Sequence, residues 1–188
     1  RQTIKPLCVY IITMSWEDGE KNYIELSQDC AESAEKYLKT INPDSFVKRI
    51  LLPEEMKKQL KGENQETRFT PYCMLRLFAD SLNELPDKIL YLDADVICRK
   101  DPEALYETDM TEYEIAGVLD YYGSWLFRRK WYKRDYVNSG VLLLNLKKIR
   151  ESGLFAACRN LCKNEKMFMP DQSAINKLAH KKKILPRQ

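Results

Sequence analysis

Apolar residues recur along this chain with two different periods, and together they predict an alternating α/β domain. Leu7, Cys8, Val9, Tyr10, Ile11 and Ile12 form a continuous apolar block that predicts a strand over 6–13. From about Lys21 to Ile41, apolar and small residues (Ile24, Ser27, Cys30, Ala31, Ala34, Leu38, Ile41) return at helical spacing, and Asn42-Pro43 ends the helix. Phe46 to Leu51 predicts a second strand, so the strand-helix-strand order implies a parallel pair with a right-handed crossover. A short polar helix over 53–60 and an exposed loop over 61–66 lead to a stronger helix. Thr70 can cap it, Pro71 suits its first turn, and Leu75, Phe78, Ala79 and Leu82 form its buried stripe. Arg76 lies beside that stripe, where a snorkelling arginine and a functional one are both open readings.

The second half repeats the alternation. Ile89, Leu90, Tyr91 and Leu92, led in by Pro86-Asp87, read as a strand buried on both faces of a mostly parallel sheet. A short helix begins at Asp101-Pro102, and Glu114 to Asp120 reads as a strand ending in a carboxylate. Asn138-Ser139-Gly140 reads as a tight turn or a close approach to a ligand, placed before a buried strand over Val141 to Asn145. Helices follow over Leu146 to Arg150, Phe155 to Cys162 and Ser173 to Lys183, the last led in by Met169-Pro170-Asp171-Gln172. Ile184-Leu185-Pro186 looks like one more strand.

Candidate chemistry begins where the central strand stops, at Asp93-Ala94-Asp95. A bare Asp-x-Asp is expected by chance in a chain of this size, and one carboxylate could cap a turn while the other is solvated. Its position adds the information, because ligands of open α/β sheets bind at the carboxyl ends of the strands. Two apart on an extended backbone, Asp93 and Asp95 would face one cation, and their hard oxygens suit magnesium or manganese carrying a diphosphate.

Composition narrows the classes. Net charge is +3 and well mixed, which argues against a dedicated nucleic-acid binder. No apolar stretch approaches the roughly 20 residues of a bilayer span, and no leading segment reads as a secretory signal. The expectation is a soluble, cytoplasmic protein, with peripheral membrane contact left open. The six cysteines lack paired spacing and read as buried free thiols. The single His180 reads as a surface residue, which disfavours a histidine-based zinc site or triad. Trp125 to Tyr136 interleaves aromatic and basic residues, which could stack on bases or sugars and pair with phosphates, or form a solvated loop with its aromatics tucked beneath.

Arg76-Leu77, Tyr91-Leu-Asp-Ala-Asp-Val96, Asn138-Ser-Gly-Val-Leu-Leu-Leu-Asn-Leu146 and Asp171-Gln172 stand in an order and spacing that resemble glycosyltransferase family 8. These are retaining transferases that include bacterial lipopolysaccharide galactosyl- and glucosyltransferases and glycogenin. The resemblance implies one glycosyltransferase domain over 1–188 with a GT-A fold, a mostly parallel twisted sheet flanked by helices. It implies transfer of a hexose from UDP-glucose or UDP-galactose to a glycan or other hydroxyl acceptor, with Mn2+ (or Mg2+). On the matching positions, Asp93 and Asp95 would hold the metal, with Asp93 and Ala94 beside the nucleotide. Arg76, Asp120, Asn138, Ser139, Gly140 and Asp171 would meet the donor sugar, and Gln172 would lie by the anomeric carbon. Asp171 is the better nucleophile of the last pair, and the sequence leaves the choice open. Family members also carry a strand and helix before this point and a histidine-containing segment after it. Neither is matched here, so a partial domain that transfers sugar poorly by itself is expected.

Two other readings compete. The apolar strand before Asp-Ala-Asp also looks like the nucleophile motif of haloacid-dehalogenase-type phosphatases, although no downstream acidic pair completes it. A sugar- or nucleotide-binding module without chemistry is the other.

Overall fold

In the computed structural model, residues 3–18, 21–64, 71–126 and 135–187 are described. Strand β1 (Cys8–Thr13) pairs in parallel with β4 (Phe46–Leu51), as the crossover pattern predicts. Between them lie a small antiparallel ladder, β2 (Trp16–Asp18) with β3 (Lys21–Tyr23), and helix α1 (Gln28–Lys39). The helix is therefore shorter than its periodicity suggested. Ser27 caps it by accepting a hydrogen bond from the Cys30 peptide N–H at 3.2 Å, so the residues from Lys21 to Tyr23 are left to the hairpin.

The second sheet has the order β5-β7-β6-β8, with β5 (Lys88–Leu92), β6 (Ile115–Leu119), β7 (Val137–Asn145) and β8 (Lys182–Leu185). Strands β5, β6 and β8 run in one direction, while β7 runs against both of its neighbours. Leu142 and Leu144 face one core with Ile115 and the helices α5 (Leu146–Ser152), α6 (Leu154–Asn164) and α7 (Pro170–Leu178). Leu143 faces the other side with Met110 and Ala116. Both faces are covered, which is why the strand reads as an unbroken apolar run rather than an alternation. Helix α7 ends at Leu178, several residues before the sequence pattern suggested, because Lys182 to Leu185 pair with β6 as a strand. The short helices α2 (Glu54–Lys57), α3 (Glu103–Tyr106) and α4 (Tyr121–Leu126) occupy connections.

A 3-10 helix over Pro71–Ser81 lies between two apolar clusters. Three residues per turn stack Tyr72, Leu75 and Phe78 in one column against Met14, Trp16 and Leu52. Met74 and Leu77 face the main core instead. The buried pair of Arg159 and Asp80, 2.6 Å apart, ties the end of this helix to α6, and Arg159 also donates to the Leu77 carbonyl. Thr70 and residues 127–134, with Arg128, Arg129 and Lys130, lie outside the described residues.

Cysteine burial is mixed: Cys158 and Cys162 are buried, whereas Cys8, Cys30 and Cys98 are exposed. His180 is exposed, as expected. Among the described residues, no helix is long and apolar enough to cross a membrane.

Candidate active site

Strand direction gathers the candidate residues. Because β7 is antiparallel to β5, its beginning lies beside the end of β5, and the Asp93 peptide N–H donates to the Gly140 carbonyl at 2.8 Å. Because β6 runs with β5, Asp120 reaches the same edge, and its N–H donates to the Tyr136 carbonyl at 2.8 Å. The β6-β7 register shifts here: Gly117 pairs with Leu142, yet Leu119 pairs with Val137. Residues 138–141 are thereby released from that ladder, as at a bulge. Asn138, Ser139 and Gly140 are thus part of β7 rather than a turn preceding it.

Strand β5 ends at Leu92, and Asp93 to Val96 form a turn in which the Val96 N–H donates to the Asp93 carbonyl at 3.1 Å. The same-face argument for Asp93 and Asp95, which assumed an extended backbone, does not apply to a turn. What fixes Asp93 is its own contacts. Its Oδ1 accepts from Arg76 Nη2 at 2.6 Å and from the Tyr91 hydroxyl at 2.7 Å. Asp95 and Ala94 are exposed on the turn. Gly140 gives the carboxylate its space, since a Cβ there would lie 2.8 Å from Asp93 Oδ2 and 3.1 Å from Asn138 Oδ1.

Arg76 is internal, with only 3 % of its surface exposed, so it does not snorkel. Its Nε meets Asp171 Oδ2 at 3.1 Å and the Cys73 carbonyl at 3.0 Å, while Nη1 donates to the Ser139 carbonyl. Burial opposes its charge, but Asp171, Tyr91 and Asp93 together raise its pKa. Asp171 is 5 % exposed, and burial raises its carboxyl pKa despite the opposing pull of Arg76 and the Ser139 hydroxyl.

Gln172, beside it in the first turn of α7, is 4 % exposed. Its Oε1 accepts from the Ser139 N–H at 2.9 Å and lies 3.2 Å from the Ser139 hydroxyl, while its Nε2 donates to Asp120 Oδ2 at 2.8 Å. Asp120 Oδ1 accepts from the N–H groups of Tyr122 and Gly123 at 3.0 and 3.1 Å. Asn138 is exposed, and its Oδ1 accepts from the Gly140 N–H at 2.8 Å. The structure therefore brings Arg76, Asp93, Asp120, Ser139, Gly140, Asp171 and Gln172 into one connected network.

Sequence reasoning missed two contributors. Tyr91 stands two residues before Asp93 on a strand, a spacing that placed it on the same side, and the Arg76 guanidinium sits 4.4 Å from its ring centre. Gly123 leaves room for Asp120 and Tyr136, which a Cβ would approach to 2.8 and 2.6 Å.

Could this site hold a divalent cation? Asp93 Oδ2 and the Asp95 carboxylate accept no hydrogen bond among the described residues, and both are hard oxygen donors. Among the described residues, no cluster of three or more His, Cys, Asp or Glu joins them there. As hard oxygen donors, these two carboxylates would suit a magnesium or manganese ion that also carried a diphosphate.

A family model described as "Glycosyl transferase family 8" matches residues 5–185. The chain is 28% identical over 148 residues to the glycosyltransferase GlyA of Streptococcus pneumoniae, covering 76% of this chain and 20% of that protein. It is 28% identical over 179 residues to a lipopolysaccharide 1,2-glucosyltransferase of Escherichia coli, covering 90% of this chain and 50% of that one. The apo structure of the bifunctional glycosyltransferase WbbM superimposes with a TM-score of 0.68 at 18% identity, over 96% of this chain and 39% of that chain. At that identity the likeness shows a shared fold. The chain spans from a fifth to half the length of these relatives.

Proposed function

Because the chain belongs to glycosyltransferase family 8, we propose that it forms the donor-binding part of a retaining hexosyltransferase that moves glucose or galactose from a UDP-sugar to a glycan hydroxyl. The observation that carries this reading is one network at the carboxyl ends of β5 and β6, in which buried Arg76 pairs with Asp93 and Asp171, and Gln172, next to Asp171, bonds Asp120.

Charge supports a metal-dependent donor. The site holds the carboxyl groups of Asp93, Asp95, Asp120 and Asp171 against one guanidinium, so an anionic diphosphate would meet repulsion. A manganese or magnesium ion held by Asp93 and Asp95 would neutralise the charge that develops on the departing nucleoside diphosphate. Arg76 and Tyr91 hold Asp93 Oδ1, which leaves Oδ2 for the cation. Asn138 offers an exposed amide to the sugar beside Gly140.

Asp171 does not suit the role of nucleophile. Its Oδ2 is spent on Arg76 and on the Ser139 hydroxyl, and a carboxylate paired inside the protein attacks poorly. Asp171 instead acts as the counter-ion that fixes Arg76. Gln172 is the better group to face a developing oxocarbenium centre, while the acceptor attacks from the leaving-group side. The relative named for lipopolysaccharide glucosylation supports an envelope glycan as acceptor.

The test uses the full-length protein with UDP-glucose and UDP-galactose, with manganese and with a chelator. Metal-dependent release of UDP, lost in Asp93→Asn, is expected. Trapping of Asp93 as an aspartyl-phosphate with an aryl phosphate would instead identify a phosphatase. Binding of UDP-sugar without any turnover would identify a binding module.

A further inference from the structure

Ser139 stands between Asn138 and Gly140 and would be read as one more contact to the sugar. Its geometry is different. Ser139 is 7% exposed, and each of its polar groups is turned inward to a side chain of the site. The carbonyl takes Arg76 Nη1, the N–H donates to Gln172 Oε1 at 2.9 Å, and Oγ lies 3.2 Å from both Asp171 Oδ2 and Gln172 Oε1. The backbone groups are free for this because the register shift releases 138–141 from the ladder with β6.

These contacts also fix which way the Gln172 amide points. Ser139 N–H can only donate, and Asp120 Oδ2, as a carboxylate, can only accept. A flipped amide would set N–H against N–H and oxygen against oxygen at 2.9 and 2.8 Å, so the oxygen must face Ser139 and the nitrogen Asp120.

Resting on the transferase reading, we propose that Ser139 is a positioning residue, whose peptide N–H orients the Gln172 amide and whose hydroxyl couples that amide to Asp171. One hydroxyl proton serves two acceptors. Directed to Asp171, it leaves a lone pair of Gln172 Oε1 uncommitted and able to turn to a positive centre. Directed to Gln172, it withdraws one donor from Asp171, which keeps Arg76 and the Gln172 peptide N–H. The residue acts through Gln172 and Asp171 and does not touch the donor.

The test compares the full-length wild type with Ser139→Ala and Ser139→Thr, reading kcat and KM for UDP-hexose turnover together with thermal melting. The loss of one hydrogen bond to a charged or reacting group predicts a fall in kcat of about 10-fold or more for Ser139→Ala. KM for the donor should stay within about 2-fold, because binding contacts are untouched. Ser139→Thr keeps the hydroxyl and should recover most of kcat. A wild-type-like kcat in Ser139→Ala overturns the proposal. So does a raised KM at unchanged kcat, which would make the hydroxyl a sugar contact, and so does an equal loss of kcat in a stably folded Ser139→Thr. A wild type without metal-dependent turnover refutes the transferase reading itself, and this inference with it.

Discussion

Replacing Gly140 by alanine isolates the seat of Asp93. The added Cβ would stand 2.8 Å from Asp93 Oδ2 and 3.1 Å from Asn138 Oδ1, inside ordinary contact distance. Asn138 is exposed and can yield, but Asp93 cannot move without lengthening its bonds to Arg76 at 2.6 Å and Tyr91 at 2.7 Å. A charge-assisted hydrogen bond contributes about 1.5–3 kcal/mol, so weakening one in this way lowers Mn–UDP affinity by roughly 10- to 100-fold. Overpacking of this kind costs about 1–3 kcal/mol of stability, or some 2–12 °C in melting temperature for a chain of this size. Gly153→Ala supplies the control. Nothing lies within 4 Å of a Cβ there, but its φ of +69° is left-handed, so that variant loses stability through strain alone. Electron paramagnetic resonance counts free Mn2+ during titration with UDP, and calorimetry follows melting. Gly140→Ala should lose both metal affinity and stability, and Gly153→Ala stability only. Equal metal affinity in the two variants would show that Gly140 has no part in seating Asp93, and the site would need another origin.

Two further outcomes follow from buried groups. Burial raises the Asp171 pKa, so the folded state holds that proton more tightly than the unfolded chain; its stabilising effect is full below the ordinary carboxylate range and fades as pH rises through the folded value. The melting temperature of Asp171→Asn relative to wild type should therefore climb as pH rises above the ordinary carboxylate range, and a flat or falling difference contradicts a raised Asp171 pKa. Burial also pushes the Cys162 thiol up to about 12, and raises Cys73 and Cys158, so these stay protonated at pH 8. Mass spectrometry after brief iodoacetamide treatment should find label on the exposed Cys8, Cys30 and Cys98 first, and early label on Cys162 would refute the packing around it.

How much of this could be read from the sequence depended on the range of the interaction. Strands β5 and β7 were legible because burial on both faces writes a local apolar run, as Leu142, Leu143 and Leu144 do. The β2-β3 hairpin had a signal in Asp18-Gly19, but the helical spacing of neighbouring residues masked it. The end of α7 was misplaced for a different reason. Ala179 still fits the helical stripe, and only pairing with a strand 67 residues earlier, Ile115 opposite Lys182, takes Lys182 and Lys183 into the sheet. At the site, residue types near strand ends pointed to Asp93 and Asp120. The inward turn of Arg76 and the bulge at 138–141 depend on partners far along the chain, which no local pattern records.

Arg76 is where those distant parts become one device. Its 3-10 helix is locked to α6 through Asp80 and Arg159, so its guanidinium is presented from a fixed base to β5, β7 and α7 together. One charge balances both Asp93 and Asp171. A cation on Asp93 Oδ2 would draw electron density from the carboxylate and weaken its hold on Arg76 Nη2, which shifts more of the guanidinium's charge towards Asp171. Ionised Asp171 would then be better stabilised with a cation bound than without one. With a cation bound as proposed, Asp93 and Asp171 would in this way be electrostatically coupled through a single buried side chain.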